Sequence, residues 1–235
     1  MSRIDAIERA FPHYRLVTDA LPRWNVAPTD DVLAVRNDGR HEIVALHWGL
    51  VPNWAKDPSI GNRLINARAE TLLERPAFHD ALVRRRALVL ADGFYEWRHL
   101  PDGRKLPIRY ALLTGEPFAF AGLWAHRERS HEPPIDSVTI VTTRANDLVG
   151  RIHERMPVML HPRDYERWLT PGEASPETTL PLLRPFPADE MTATPVSPRV
   201  NSVAHDDPAC IAPLEAALPL ELGNGDEGEG APTRR

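Results

Sequence analysis

Three polar side chains stand inside apolar or aromatic stretches of this chain, and their types suit chemistry at a carbonyl. They are Asn66 in Ile65-Asn-Ala-Arg-Ala-Glu-Thr71, Glu96 in Ala91-Asp-Gly-Phe-Tyr-Glu-Trp97, and His153 in Ile152-His-Glu-Arg-Met-Pro157. A neutral amide can orient a carbonyl, a carboxyl group can carry a proton, and an imidazole can assist either or steady an oxyanion. Glu96 lies between Tyr95 and Trp97, after the apolar run Ala87-Leu88-Val89-Leu90. A carboxyl group held against aromatic walls loses hydration, so its pKa is expected to rise and it could shuttle protons near neutral pH. Arg68 and Arg155 follow Asn66 and His153 by two residues. In extended chain that spacing shares a face, and a forked guanidinium there suits phosphate. Plainer roles fit the same residues: a surface Glu on an edge strand, a turn or capping Asn, a structural His.

The elements that must position these groups belong to a chain of 235 residues, long enough for one domain with its own core. Hydrophobic residues at 42% and charged residues at 26% place it among globular proteins rather than disordered ones. No run reaches the length of a bilayer span and the start lacks a basic-then-apolar leader, so a cytoplasmic protein without a membrane partner is expected. The single Cys210 excludes an internal disulfide and a Cys-rich zinc site. The His pairs, His126/His131 and His41/His47 among them, lack ligand spacing to a third partner. No metal and no organic cofactor is expected, and neither a P-loop nor a Gly-rich dinucleotide fingerprint occurs.

The net charge of −5 belongs to the end of the chain. Seven acids (Asp206, Asp207, Glu215, Glu221, Asp226, Glu227 and Glu229) face only Arg234 and Arg235 there, which leaves residues 1–203 with 26 acids and 26 bases. All of those bases except Lys56 and Lys105 are Arg. A neutral body of this kind still admits nucleic acid if its arginines gather on one face. Arginine richness can equally reflect a GC-rich genome.

Along the chain, residues 2–11 read as a short amphipathic helix, with Ile4, Ile7 and Phe11 on one face and Ser2 with Asp5 in an N-cap arrangement. Residues 31–36 and 42–48 alternate as two strands about the Asn37-Asp38-Gly39 turn, a hairpin signal. A helix is expected over 78–85. Strands are expected around Glu96, at 110–113, 118–124, 138–143 and 158–160, with a short helix at 163–169 and an extended segment at 194–200. Residues 127–134 read as an exposed charged loop, and the Gly- and Glu-rich residues from 223 onward as disordered. The tryptophans at 24, 48, 54, 97 and 124 are mostly core candidates, of which one or two could stack on bases. Short strands with interspersed helices and no regular βα alternation argue for an α+β fold.

Taken in order, eight segments carry a more specific signal: Trp24-Asn-Val-Ala-Pro-Thr29, Trp48-Gly-Leu-Val-Pro52, Ile65–Thr71, Ala91–Trp97, Phe120-Ala-Gly-Leu-Trp124, Ile140-Val-Thr-Thr143, Ile152–Pro157 and Val196-Ser-Pro-Arg-Val-Asn201. With them the chain resembles the SOS response-associated peptidase (SRAP) family over roughly residues 20–215. The resemblance implies a single domain, residues 1–218, with a barrel-like mixed or antiparallel β core and flanking helices, followed by an acidic tail, 219–235. It implies an abasic site processing protein that binds single-stranded DNA and links covalently to the abasic sugar. An N-terminal cysteine α-amine, freed by self-cleavage of the initiator Met, condenses with the aldehyde, and the thiol closes a thiazolidine. On matching positions, Asn66 orients the N-terminal residue and the sugar, Glu96 shuttles protons, and His153 assists ring opening and later reversal. Arg68, Thr142 and Arg155 bind backbone phosphates, with Pro28 and Trp54 near the bases. The implied partners are abasic single-stranded DNA and replication-fork proteins, the implied state a monomer, nucleoid-associated when on DNA.

The start departs from this pattern. Family members begin Met-Cys-Gly-Arg, whereas this sequence begins Met1-Ser2-Arg3-Ile4. It also has about ten fewer residues ahead of Trp24, a span of up to about 33 Å if extended, so Ser2 is not expected to reach the pocket. Two explanations stay open: a cysteine start encoded further upstream, or a degenerate homologue that binds DNA without a covalent bond. Ala87 and Leu90, where the family often shows Cys and Pro, read as core substitutions.

Overall fold

A computed structural model describes residues 4–214. The proposed cap at Ser2 and the acidic tail therefore lie outside the described residues. Twelve strands and two principal helices follow in chain order: α1 (Ile4–Ala10), β1 (Arg15–Leu16), β2 (Asp31–Arg36), β3 (Glu42–Trp48), β4 (Asn66–Arg68), α2 (Pro76–Arg84), β5 (Arg86–Ala91), β6 (Phe94–His99), β7 (Lys105–Leu112), β8 (Phe118–Arg129), β9 (Glu132–Arg144), β10 (Arg155–Pro157), β11 (Met159–Leu160) and β12 (Met191–Pro195). The expected hairpin is present with both strands at the anticipated bounds, its turn carried by Gly39 at φ +76°. Pro76 opens α2 at its first turn, where a missing N–H costs nothing. No helix among the described residues is long and apolar enough to cross a membrane.

Strands β3, β2, β5, β8 and β9 form a closed ring: four antiparallel pairings, then a parallel pairing of β3 with β9 that joins the two ends. Closure removes the exposed sheet edges that invite aggregation. This is the barrel-like α+β architecture expected. A separate three-stranded sheet runs in the order β12-β7-β6. Because side chains alternate across a strand, the barrel wall has two apolar faces. Val35, Leu88 and Ala121 pack with Ile7 and Phe11 of the first helical segment and with Phe78 and Leu82 of α2. Ala34, Val89, Phe120, Val138 and Ile140 pack instead with Ile108, Tyr110 and Met191 of the small sheet.

One segment differs from expectation. Residues 127–134 are not a loop: β8 and β9 continue into the segment and turn at His131, whose φ is +71°, and the expected exposure holds at 128 and 130–134 but fails at Arg127. Arg127 keeps only 1% exposure. Its Nε donates to Ala55 O (3.0 Å), Nη2 to Lys56 O (3.3 Å) and Nη1 to Glu132 (2.6 Å). A charge-rich composition suggested solvent, but a guanidinium that satisfies all its polar groups can be buried.

Candidate functional site: a carboxylate and a histidine beside an arginine-bearing edge

Strand β9 brings the motifs together at its C-terminal end. Thr142 pairs with Arg68 of β4 along one edge, parallel, and with Pro157 of β10 along the other, antiparallel. Paired residues share a face, so Asn66, Arg68, Ile140 and Thr142 project to the side that faces the small sheet, while Ala67 and Val141 enter the helix-packed core. Asn66 is held in place through its neighbour: Ile65 O accepts from Ile140 N (3.1 Å) and from the Trp48 indole (2.9 Å). The preceding turn is held by a close backbone approach. A Cβ on Gly49, at φ +147°, would stand 2.7 Å from Gly61 O.

Glu96 reaches the same region from β6. Its register partner is Ile108, and Phe94 pairs with Tyr110, which puts all four on one face. The rings of Phe94 and Tyr110 stack with centroids 5.1 Å apart. The aromatic wall beside Glu96 is therefore Phe94 and Tyr110, not its sequence neighbours. Tyr95 and Trp97 point the other way: the Tyr95 hydroxyl donates to Trp24 O (2.6 Å), and the Trp97 indole to Asn201 Oδ1 (2.8 Å). The expected shift nevertheless has the expected sign. Burial raises the Glu96 carboxyl above the ordinary carboxylate range, and His153 offsets part of that rise.

His153 follows a turn organised by Asn146. The Oδ1 of Asn146 accepts from Leu148 N and Val149 N, while its amide donates to Phe186 O (2.7 Å). The turn places His153 Nδ1 3.9 Å from Glu96 Oε1. The same nitrogen lies 2.9 Å from Arg155 O and 3.1 Å from Arg155 N, so its bond to the following backbone depends on tautomer. A half-exposed imidazole beside a carboxyl group of raised pKa can pass a proton between them and to a ligand.

The remaining candidates divide. Arg68 is exposed and has no side-chain hydrogen bond among the described residues. Arg155 is engaged: Nε and Nη2 each lie 3.3 Å from Thr142 Oγ1, and Nη2 donates to Thr142 O (2.8 Å). Its fork also meets Glu70, Nη2 to Oε2 at 2.9 Å and Nη1 to Oε1 at 3.4 Å. Pro28 is exposed at the tip of a turn in which Ala27 and Asp30 bond each other and Thr29, at φ +80°, donates to Trp48 O. Trp54 keeps 58% exposure and stands on a groove of about 490 Å³ with Pro76, Asp80, Arg85 and Arg129; none of Asn66, Glu96 or His153 lines that groove.

Two residues near the site were not among the sequence candidates. Glu70 continues the two-residue spacing Asn66, Arg68, Glu70 and was detectable from it. Tyr110 was not. Its side chain is fully buried, its hydroxyl has no hydrogen-bond partner among the described residues, and burial followed by the Glu96 charge pushes its pKa up to about 12.

The chain matches the SOS response associated peptidase (SRAP) family over residues 2–203, nearly its whole length, and belongs to that family. The chain is 44% identical over 191 residues to abasic site processing protein YoqW of Bacillus subtilis, covering 81% of this chain and 85% of that protein. It is 32% identical over 203 residues to abasic site processing protein HMCES of Gallus gallus, covering 77% of this chain and 60% of that protein. Among solved structures, a Bacteroides thetaiotaomicron protein superposes with a TM-score of 0.79 at 25% identity, covering 89% of this chain and 96% of that one.

Proposed function

We propose that this chain processes abasic sites: it binds single-stranded DNA, admits the ring-opened abasic sugar between β4, β6 and the His153 turn, and supports its covalent capture. The Glu96–His153 pair carries this reading, because two motifs distant in sequence place a proton donor and an imidazole 3.9 Å apart beside an exposed arginine. The family membership and the names of the relatives agree with it.

In the proposed reaction a cysteine α-amine, far less basic than a lysine, adds to the sugar aldehyde. Glu96 in its protonated form donates to the departing hydroxyl, so that water leaves and an imine forms. The thiol then adds across the C=N bond and its proton goes to nitrogen, giving the thiazolidine. The Asn66 amide holds the N-terminal residue and the sugar oxygen, and His153 assists ring opening and the reverse step. Arg68 and the outward N–H of Arg155, with Thr142, take backbone phosphates; Pro28 and Trp54 meet bases. In the form that begins Met-Cys-Gly-Arg this cysteine becomes N-terminal by hydrolytic loss of the initiator Met; in the present sequence the residue after Met1 is Ser2.

The test is a denaturing-gel assay with single-stranded DNA holding one abasic site, run for this chain and for a form beginning Met-Cys-Gly-Arg. A denaturant-resistant band from the cysteine form that disappears in Glu96→Ala or Asn66→Ala is the expected result. Absence of a band together with equal binding of abasic and intact strands overturns the reading. One observation favours a second reading, a lesion-binding protein that forms no bond: the only cysteine, Cys210, is fully buried against Val196 and Val200. That reading expects a preference for abasic strands, salt-dependent as phosphate contacts require, and no resistant band from either form.

A further inference from the structure

The edge assigned above to phosphate contains an acid. Glu70 lies in the short turn Ala69–Thr71 that continues β4. Its carboxylate takes two nitrogens of the Arg155 fork, while Thr142 takes Nε and the other side of Nη2. Arg155 is left with 19% side-chain exposure and Glu70 with 50%. A guanidinium carries five N–H donors. Five contacts, two of which share one Nη2 N–H between Thr142 O and Oγ1, leave the second N–H of Nη1 as the one directed away from both partners. The acid thus aims the arginine as well as neutralising it. Burial raises the Glu70 carboxyl, but the Arg155 hydrogen bond and the charges of Arg155 and Arg68 outweigh that and hold it below its ordinary value. It is an anion between two cations at neutral pH.

We propose that Glu70 is a specificity-determining positioning residue: it locks Arg155 to β9 in one orientation and, by its own charge, opposes phosphate at this edge. Intact DNA then gains little from Arg68 and Arg155, whereas a strand whose sugar is seated at the Glu96–His153 pair meets an arginine already set to receive its phosphate. The cost of ordering Arg155 is met before binding, which favours the correctly seated ligand. The opposing charge falls on every strand alike and lowers non-specific retention. This inference rests on the abasic-DNA reading above.

The experiment measures equilibrium binding of intact and abasic single strands across a salt series for the full chain, Glu70→Gln and Glu70→Asp, with thermal unfolding as a check on folding. Glu70→Gln removes the charge and one arm of the fork. It is expected to bind intact strands about fivefold more tightly at low salt. Its plot of log affinity against log salt should steepen by about 0.7, and its preference for abasic over intact strands should fall. Glu70→Asp keeps the charge and is expected to hold the parent slope and most of the preference. A folded Glu70→Gln protein with the parent's affinity, slope and preference overturns the role of Glu70 while the abasic reading stands. A parent chain that shows no preference for abasic strands overturns both.

Discussion

Arg86 and Arg155 are both largely withdrawn from water, yet their surroundings differ in a way that separates scaffold from site. Arg86 has no exposure and gives its N–H groups to five main-chain carbonyls, those of Leu82, Val83, Trp168, Thr170 and Gly172. Buried Asn37 completes that knot, bonding Arg84 O, Arg86 N and the Trp124 indole. Fixed carbonyls cannot be exchanged for a ligand, and burial alone lowers the Arg86 pKa. Arg155 is held by one hydroxyl, one carbonyl and a half-exposed carboxylate. Side-chain partners at a rim can be traded for a phosphate. A saturated backbone cage therefore marks an arginine that builds the fold, and a partly open side-chain cage one that can meet a ligand.

Removing each arginine tests the difference between them most directly. Arg86→Met leaves several buried carbonyls without donors and should cost at least about 3 kcal/mol of unfolding free energy in a denaturant titration. Arg155→Met should cost less than about 1 kcal/mol, as partly exposed ion pairs do, but weaken binding to abasic strands. Equal losses of stability would erase the distinction.

Glu96, the proposed proton donor, offers a second test. Glu96→Gln should slow cross-linking by the cysteine-start form at least about a hundredfold, the usual scale for a lost proton-transfer group, without loss of stability. The pH dependence of stability carries a sign. A carboxyl group whose folded pKa is raised stabilises the fold fully in acid and loses that contribution as pH rises through the raised value. The variant should then match the parent in acid and become progressively more stable than it toward neutral pH. A constant difference across pH would contradict the shift.

A smaller effect is expected at the turn that presents Asn66. Gly49→Ala puts a Cβ 2.7 Å from Gly61 O at φ +147°, so unfolding free energy should fall by about 2 kcal/mol, with binding reduced beyond what the change in folded fraction explains. Smallest is Tyr110→Phe. Removing a buried hydroxyl without a partner should leave stability unchanged or raise it by up to about 1 kcal/mol. A clear loss would show that the hydroxyl has a partner in solution.

Much of this was legible in the residues because it is local. Alternation along residues 31–36 and 42–48 and the Asn-Asp-Gly turn define a hairpin wherever it sits, and the flanking apolar residues mark Glu96, Asn66 and His153 as unusual. The motif order was enough to indicate the family, and with it an α+β barrel. What stayed hidden depends on which strand lies beside which. The parallel pairing of β3 with β9 closes the barrel, and the register of β6 against β7 gives Glu96 a wall of Phe94 and Tyr110 while turning Tyr95 and Trp97 away. Period-two alternation implies that neighbours in sequence point apart; only the pairing says what replaces them. The same holds for charge. Composition alone cannot distinguish Arg127, buried between carbonyls and Glu132, from an arginine in solvent, nor reveal that Glu70 and Arg155 meet across β9. Residue types and spacing along the chain determined which groups can do chemistry. The tertiary structure decided which of them are paired, buried or left open, because satisfaction of a polar group is settled by long-range contacts.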